Sequence, residues 1–391
     1  MHREFWFSFA LLLLAGCQAV PSARLELSSP LQMLEQADGL FPERSSVIAP
    51  ADILTASPEI KKFVRDRISY GGADPQQRFR RLIQALQKGE SLGLTYDSLE
   101  TLSAAESFQT LRGNCLSLSI LAFVMARESG LDAEFYEPHV DYIWDEQGDY
   151  HFLTRHISLQ ISSNSHQQWP ISSAYVDFSG NPSLHLLPKT RLEERTVLAM
   201  FYNNRAADAL ARERLGEAYA HIRLGIQVDP GFAASYNTLG LILKRVGEGV
   251  LSEQAFRRGL HYDPDNYALL SSLYHHLSPS SRVDEQLAAD YLRAERKQKN
   301  PFELAEKADR AFELGQYQKA IRLYQKAIDQ TAYVHSFYFG IARSLIALKE
   351  YEKANRYLEV AGSLSPTLAQ QQFYHRKVEL LSHYLGELSP H

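Results

Sequence analysis

Apolar positions along this chain change their spacing twice. From about residue 50 to residue 130 they recur at helical intervals. The stretch "DPQQRFRRLIQALQKG" puts Phe79, Leu82, Ile83 and Leu86 on one face, opens on Asp74-Pro75 and closes near Gly89. "TASPEIKKFVRDRI" opens the same way on Ser57 and Pro58, and "SAAESFQTLRG" begins with a capping box, Ser103 to Glu106, and runs to Gly113. A further helix starts at Asn114-Cys115 and continues to Gly130. Between residues 132 and 178 the spacing shortens to two. "DAEFYEPHV", "HISLQIS" and "AYVDFS" read as strands, separated by turn-forming residues. Helices followed by strands predict an α+β domain with an antiparallel sheet.

From residue 199 the strand signals vanish and a longer repeat takes over. Asp229-Pro230 and Asp263-Pro264 stand 34 positions apart. Blocks beginning at 199, 233, 267, 301 and 335 bring small residues to the eighth place in Ala206, Gly240, Ala308 and Ala342. The twentieth place holds Ala218, Ser252, Ala320 and Ala354, and the twenty-seventh Gly225, Gly259, Ala327 and Ala361. The third block departs at all three, with Tyr274, Gln286 and Arg293. Two helices can cross closely only where side chains are small, a large residue such as Phe256 or Tyr324 then fills the adjoining gap, and proline ends the second helix. This pattern resembles the tetratricopeptide repeat. Residues 369–391 read as the capping helix and tail that such arrays require.

The N-terminus carries a different signal. "MHREFWFSFALLLLAGCQ" has Arg3, then an apolar run from Phe5 to Leu14 that falls short of the ~20 residues needed to span a bilayer, so residues 1–16 read as a signal peptide. Leu14-Ala15-Gly16-Cys17 is similar to the bacterial lipobox, which implies cleavage before Cys17 and lipidation of that cysteine. Gln18, standing where an aspartate would favour inner-membrane retention, directs the expectation to an outer-membrane lipoprotein facing the periplasm. The Ser/Pro-rich segment that follows reads as a tether, residues 17–45.

Length and charge narrow the classes. At 391 residues the chain exceeds a single ordinary core, and a net charge of −5 provides no footprint for nucleic acid. No cofactor or metal site is expected. With Cys17 lipidated, Cys115 is the only free thiol and has no disulfide partner. A nucleophilic cysteine needs a thiolate-favouring site such as a helix N-terminus, a histidine base and a group that orients the base. Cys115 opens a helix. His139, His151, His156 and His166 are the candidate bases, and Asp177, between Val176 and Phe178, is a carboxylate in an unusual place unless it has a partner.

Taken in order, "RGNCLSLSILAFVMARESGLDAEFYE", "RHISLQI" and "YVDFSG" resemble the transglutaminase-like branch of the papain-type thiol enzymes, in its bacterial form fused to tetratricopeptide repeats. "FYNNRAADAL" at 201–210 is similar to the junction of that fusion, and the resemblance spans roughly residues 50–370. It implies Cys115 as nucleophile, His156 as general base and acid, and Asp177 as the residue that holds the imidazole. It also implies an oxyanion hole made of the Cys115 N–H and an upstream donor, for which Gln109 is the candidate. Ser158 departs from the family's aromatic two residues after the histidine, and no carboxylate run suggests a calcium-dependent enzyme.

The expected architecture is a papain/transglutaminase-like α+β domain with an antiparallel sheet over residues 46–195, then an all-α solenoid of five repeats over 199–368, the third degenerate. The expected function is a cysteine hydrolase or acyltransferase acting on peptide or protein amides, with the repeats docking substrate or a protein partner and the lipid binding the membrane. The alternative is a catalytically silent envelope scaffold that uses its repeats for assembly.

Overall fold

A computed structural model describes residues 28–42, 45–86, 92–97, 101–138, 143–147, 150–154, 156–163, 173–178, 187–297, 301–332, 334–365 and 368–388. The proposed signal segment, Cys17, His139 and His166 lie outside the described residues.

Proline and short polar caps set the starts of the first helices. They are α1 (Pro30–Asp38), α2 (Pro50–Ile53), α3 (Pro58–Phe63) and α4 (Pro75–Leu86), each with proline in its first turn. Ser57 accepts from the Ile60 N–H, and Asp74 from the Gln77 N–H at 2.8 Å. Next come β1 (Thr95–Tyr96), α5 (Ala104–Thr110), β2 (Arg112–Gly113) and α6 (Cys115–Glu128). The Ser103–Glu106 capping box opens α5, which stops at Thr110 rather than at Gly113. Leu111 turns into the left-handed region at φ 54°, and the next two residues pair in parallel with β1.

Short strands follow: β3 (Asp132–Pro138), β4 (Ile143–Gln147), β5 (Tyr150–Thr154), β6 (Ser158–Ser162), β7 (Ser173–Val176) and β8 (Lys189–Leu192). Four of them form an antiparallel sheet in the order β7-β6-β3-β8, and β4 and β5 form a separate hairpin. His151 therefore lies in β5. α6 packs on the sheet through Phe123, stacked on Phe135 at 4.4 Å, and through an apolar cluster that includes Leu116, Ile120, Leu159 and Ile161.

The expectation of a papain/transglutaminase-like α+β fold is corrected here. Among the described residues there are seventeen α-helices against eight strands of two to seven residues, so the chain is mostly all-α with small sheets only. The period-two runs were real but short. They build one four-stranded sheet beside the helices, not the main layer of a domain.

Paired helices then continue to the C-terminus: α7 (Glu194–Ala211) with α8 (Leu215–Val228), α9 (Ala233–Arg245) with α10 (Gly249–Tyr262), and α11 (Tyr267–Leu277) with α12 (Glu285–Lys297). Two more pairs, α13 (Pro301–Glu313) with α14 (Tyr317–Gln330) and α15 (His335–Ala347) with α16 (Tyr351–Leu364), are closed by α17 (Leu368–Leu388). These are tetratricopeptide-type helix pairs. Ala206, Ala218, Ala308, Ala320, Ala342 and Ala354 are completely buried at the crossings. Where the small residue is Gly240, a β-carbon would stand 2.4 Å from the ring of Phe256. In the third pair the crossing is filled differently: Tyr274 stacks on Tyr291 with centroids 4.4 Å apart.

This register sets an expected result. Ala320→Trp should destabilise the protein by about 1–3 kcal/mol or more through overpacking. Gln286→Trp, at an exposed site in the third pair, should change little. Equal melting temperatures for the two variants would contradict the assigned crossings.

Two features depart from the sequence reading. α7 begins at Glu194, five residues before the repeat period starts, because Val197, Phe201 and Tyr202 belong to the apolar cluster around α6. And the segment read as a tether contains α1, capped by Ser29 and Gln32, with Met33, Leu34 and Ala37 buried against the first repeats. Phe41 stacks on Tyr219 at 4.3 Å, and Asp38 pairs with Arg223 at 2.8 Å.

Candidate thiol site

Asn114 is the N-cap of α6. Its Oδ1 accepts from the Ser117 N–H at 2.9 Å and from the Ser117 hydroxyl at 2.8 Å. That fixes Cys115 as the first helical residue, where backbone N–H groups have no acceptor within the helix and the dipole favours negative charge. Gly113 is required for this approach, since a β-carbon there would stand 2.6 Å from the Ser117 β-carbon. Cys115 is partly buried and, like Val176 and Phe178, packs against the apolar cluster around α6.

His156 and Ile157 lead into β6, which starts two residues later than the expected strand. The alternation sends Ile157, Leu159 and Ile161 into the apolar cluster. The His156 and Asp177 side chains are 2% and 3% exposed, and the His156 Nε2–H donates to Asp177 Oδ2. Nε2 being taken, Nδ1 is the nitrogen left for the thiol of Cys115, the ring's other hydrogen-bond partner. Burial by itself pushes the imidazole toward neutrality. The hydrogen bonds to Asp177 and Cys115, with the negative charge of both, outweigh it and lift the His156 pKa to about 10.

The structure thus pairs His156, from a strand lead-in, with Asp177, from a strand end, and sets Cys115, at a helix N-terminus, as the ring's other partner. Gln109 is different. It is exposed at the end of α5, on the solvent side, and does not suit a buried oxyanion donor. The sequence reading also missed Thr101, whose hydroxyl accepts from Asn114 Nδ2 at 2.8 Å. The only signal available was a threonine two residues ahead of the Ser103 cap. Among the described residues no group of three or more His, Cys, Asp or Glu side chains is arranged to hold a metal ion, and no helix is long and apolar enough to cross a membrane.

No known family profile matches the chain, and no curated protein matches it. Solved structures similar to it are helical-repeat proteins. One, from a functional characterization of Pseudomonas aeruginosa pilF, is 18% identical, covering 51% of this chain and 95% of that one with a TM-score of 0.27. YrrB, a tetratricopeptide protein with an unusual peptide-binding site, is 18% identical over 46% of this chain and 92% of its own, with a TM-score of 0.24. Yeast Tom70 is 14% identical over 52% of this chain and 46% of its own, with a TM-score of 0.32. The repeat assignment rests on the helix pairs and their buried small residues. Stacked pairs of this kind present an extended surface on which other proteins dock.

Proposed function

We propose that this protein is a protein-binding scaffold that also performs thiol-dependent acyl chemistry on peptide or protein amides. The observation that carries the second half is the buried His156, engaged by Asp177 on one side and Cys115 on the other. A structural cysteine has no need of a histidine partner held in this way.

In the proposed reaction the Cys115 thiolate attacks the amide carbonyl carbon, forming a C–S bond. The developing oxyanion accepts from the Cys115 N–H at the start of α6. The C–N bond then breaks, and the leaving amine takes its proton from the His156 imidazolium. Water attacks the resulting thioester, His156 accepts the water's proton, and the carboxylic acid is released with the thiolate restored. An amine in place of water gives acyl transfer instead of hydrolysis. Asp177 holds the ring so that Nδ1 faces sulfur. The repeats hold the substrate or a partner. A silent scaffold is the competing reading, favoured by the exposure of Gln109, which leaves the oxyanion site with one assigned donor. Acylation of Cys115 by an activated ester, read by intact mass, separates the two. A thioester that turns over supports the enzyme, and an inert Cys115 supports the scaffold.

We also propose that Cys17 carries lipid and places the protein on the periplasmic side of the outer membrane. Cys17→Ser should release it from membranes or block its maturation while the repeats stay folded. Unchanged partitioning, with no lipid mass on the mature N-terminus, would exclude this.

A further inference from the structure

The motif "FYNNRAADAL" opens the first repeat, yet two of its polar side chains, Tyr202 and Arg205, bond outside the repeat array. Tyr202 donates its hydroxyl to the Ile48 carbonyl at 2.7 Å. Arg205 Nη1 donates to the Thr101 carbonyl at 3.3 Å, and its Nη2 lies 3.9 Å from Glu106 Oε1. Thr101 is the residue whose hydroxyl holds the Asn114 side chain, and the N–H of the adjacent Leu102 donates to the Ser117 hydroxyl at 2.7 Å. Thr101 and Leu102 are both buried, so this short segment is a clamp on the first turn of α6, closed from outside by Arg205. At the other end of α6, Arg127 reaches Glu194 at the start of α7, both oxygens at 3.1 Å. α7 thus reaches the C-terminal end of α6 directly, through Glu194, and its N-terminal end only through Thr101.

We propose that Arg205 is a positioning residue for the thiol. Through Thr101 and Asn114 it fixes the direction in which the N-terminus of α6 presents Cys115, so the site is incomplete without the first repeat helix. This rests on the reading of Cys115 as a nucleophile paired with His156. The guanidinium is suited to the task because it can hold the Thr101 carbonyl while its charge faces Glu106. A small rotation of the first turn moves sulfur relative to Nδ1, and catalytic geometry tolerates little displacement.

The test uses the full chain and follows carbamidomethylation by iodoacetamide at the peptide containing Cys115, between pH 5 and 9, alongside thermal melting. Arg205→Met should slow modification at pH 7 by about tenfold while the melt stays cooperative. Arg205→Lys should recover most of the rate, since an ammonium can still reach the carbonyl. Thr101→Val, which keeps the shape and removes the hydroxyl that holds Asn114, should reproduce the loss. Rates for Arg205→Met equal to wild type across the pH range would overturn the proposal. So would a loss matched by early melting that lysine fails to restore. His156→Ala is run in parallel. If it reacts as fast as wild type, the nucleophile reading fails and takes this inference with it. If it slows while Arg205→Met does not, only the positioning role is lost.

Discussion

His156→Ala should abolish thioester turnover at Cys115, with a loss on the order of 10³-fold or more. The imidazole acts twice in each cycle: it protonates the leaving amine and then takes a proton from water. No neighbouring group described at the site duplicates either step. Cys115→Ala sets the floor of the assay. The double variant should be scarcely slower than either single one, because the two residues act as a unit and removing one already removes the route. Alanine at His139, His151 or His166 should leave substantial turnover. The measurement is steady-state hydrolysis of an activated acyl ester, with intact mass to detect the acyl-enzyme. If His156→Ala retains a tenth of the wild-type rate, the assignment of acid and base is wrong.

Asp177→Ala should destabilise the fold by about 3–5 kcal/mol near pH 6, because it strands a buried imidazolium that has lost its partner. The pH dependence has a definite sign. In the native protein the His156 pKa is raised to about 10, whereas an unfolded histidine titrates near 6.5. The charged ring's contribution is therefore complete below about pH 6.5 and fades as pH rises toward 10. The gap between wild type and Asp177→Ala should be widest in mild acid and close through that window. Urea unfolding at pH 6, 8 and 10 measures it. A gap that stays constant or widens with pH would mean that the pair is not charged in the folded state.

Much of this was legible in the residues, for identifiable reasons. Ser57-Pro58, Asp74-Pro75 and Ser103–Glu106 each start a helix because local caps decide helix ends regardless of tertiary setting. The small residues of the repeats were readable because close crossings recur at a fixed period. Asp177 was readable as a carboxylate between two apolar neighbours. What escaped depends on partners distant in sequence. β8, "KTRL", has no apolar alternation and exists because β3 supplies its ladder. α1 used the same Ser-Pro device as α3, but it sits in a Ser/Pro-rich stretch and gains its stability from Tyr219 and Arg223, nearly two hundred residues on. The α+β expectation failed through weight. The strand runs were correctly placed in part, but helices account for most of the chain.

The seat of α1 also limits where the molecule can stand. Ser28 is held against α10, the second helix of the second pair, accepting from Arg258 through its carbonyl and reaching Gln254 through its hydroxyl at 3.4 Å. Cys17 is eleven residues upstream. Even fully drawn out, that length of chain covers no more than about 36–40 Å. With acyl chains on Cys17, as proposed, the leash keeps Ser28, and with it the face of α10 that bears Gln254 and Arg258, within that radius of the anchor. It fastens beside the first two repeats, so the leash sets no such limit on α13 to α17, at the other end of the array in chain order.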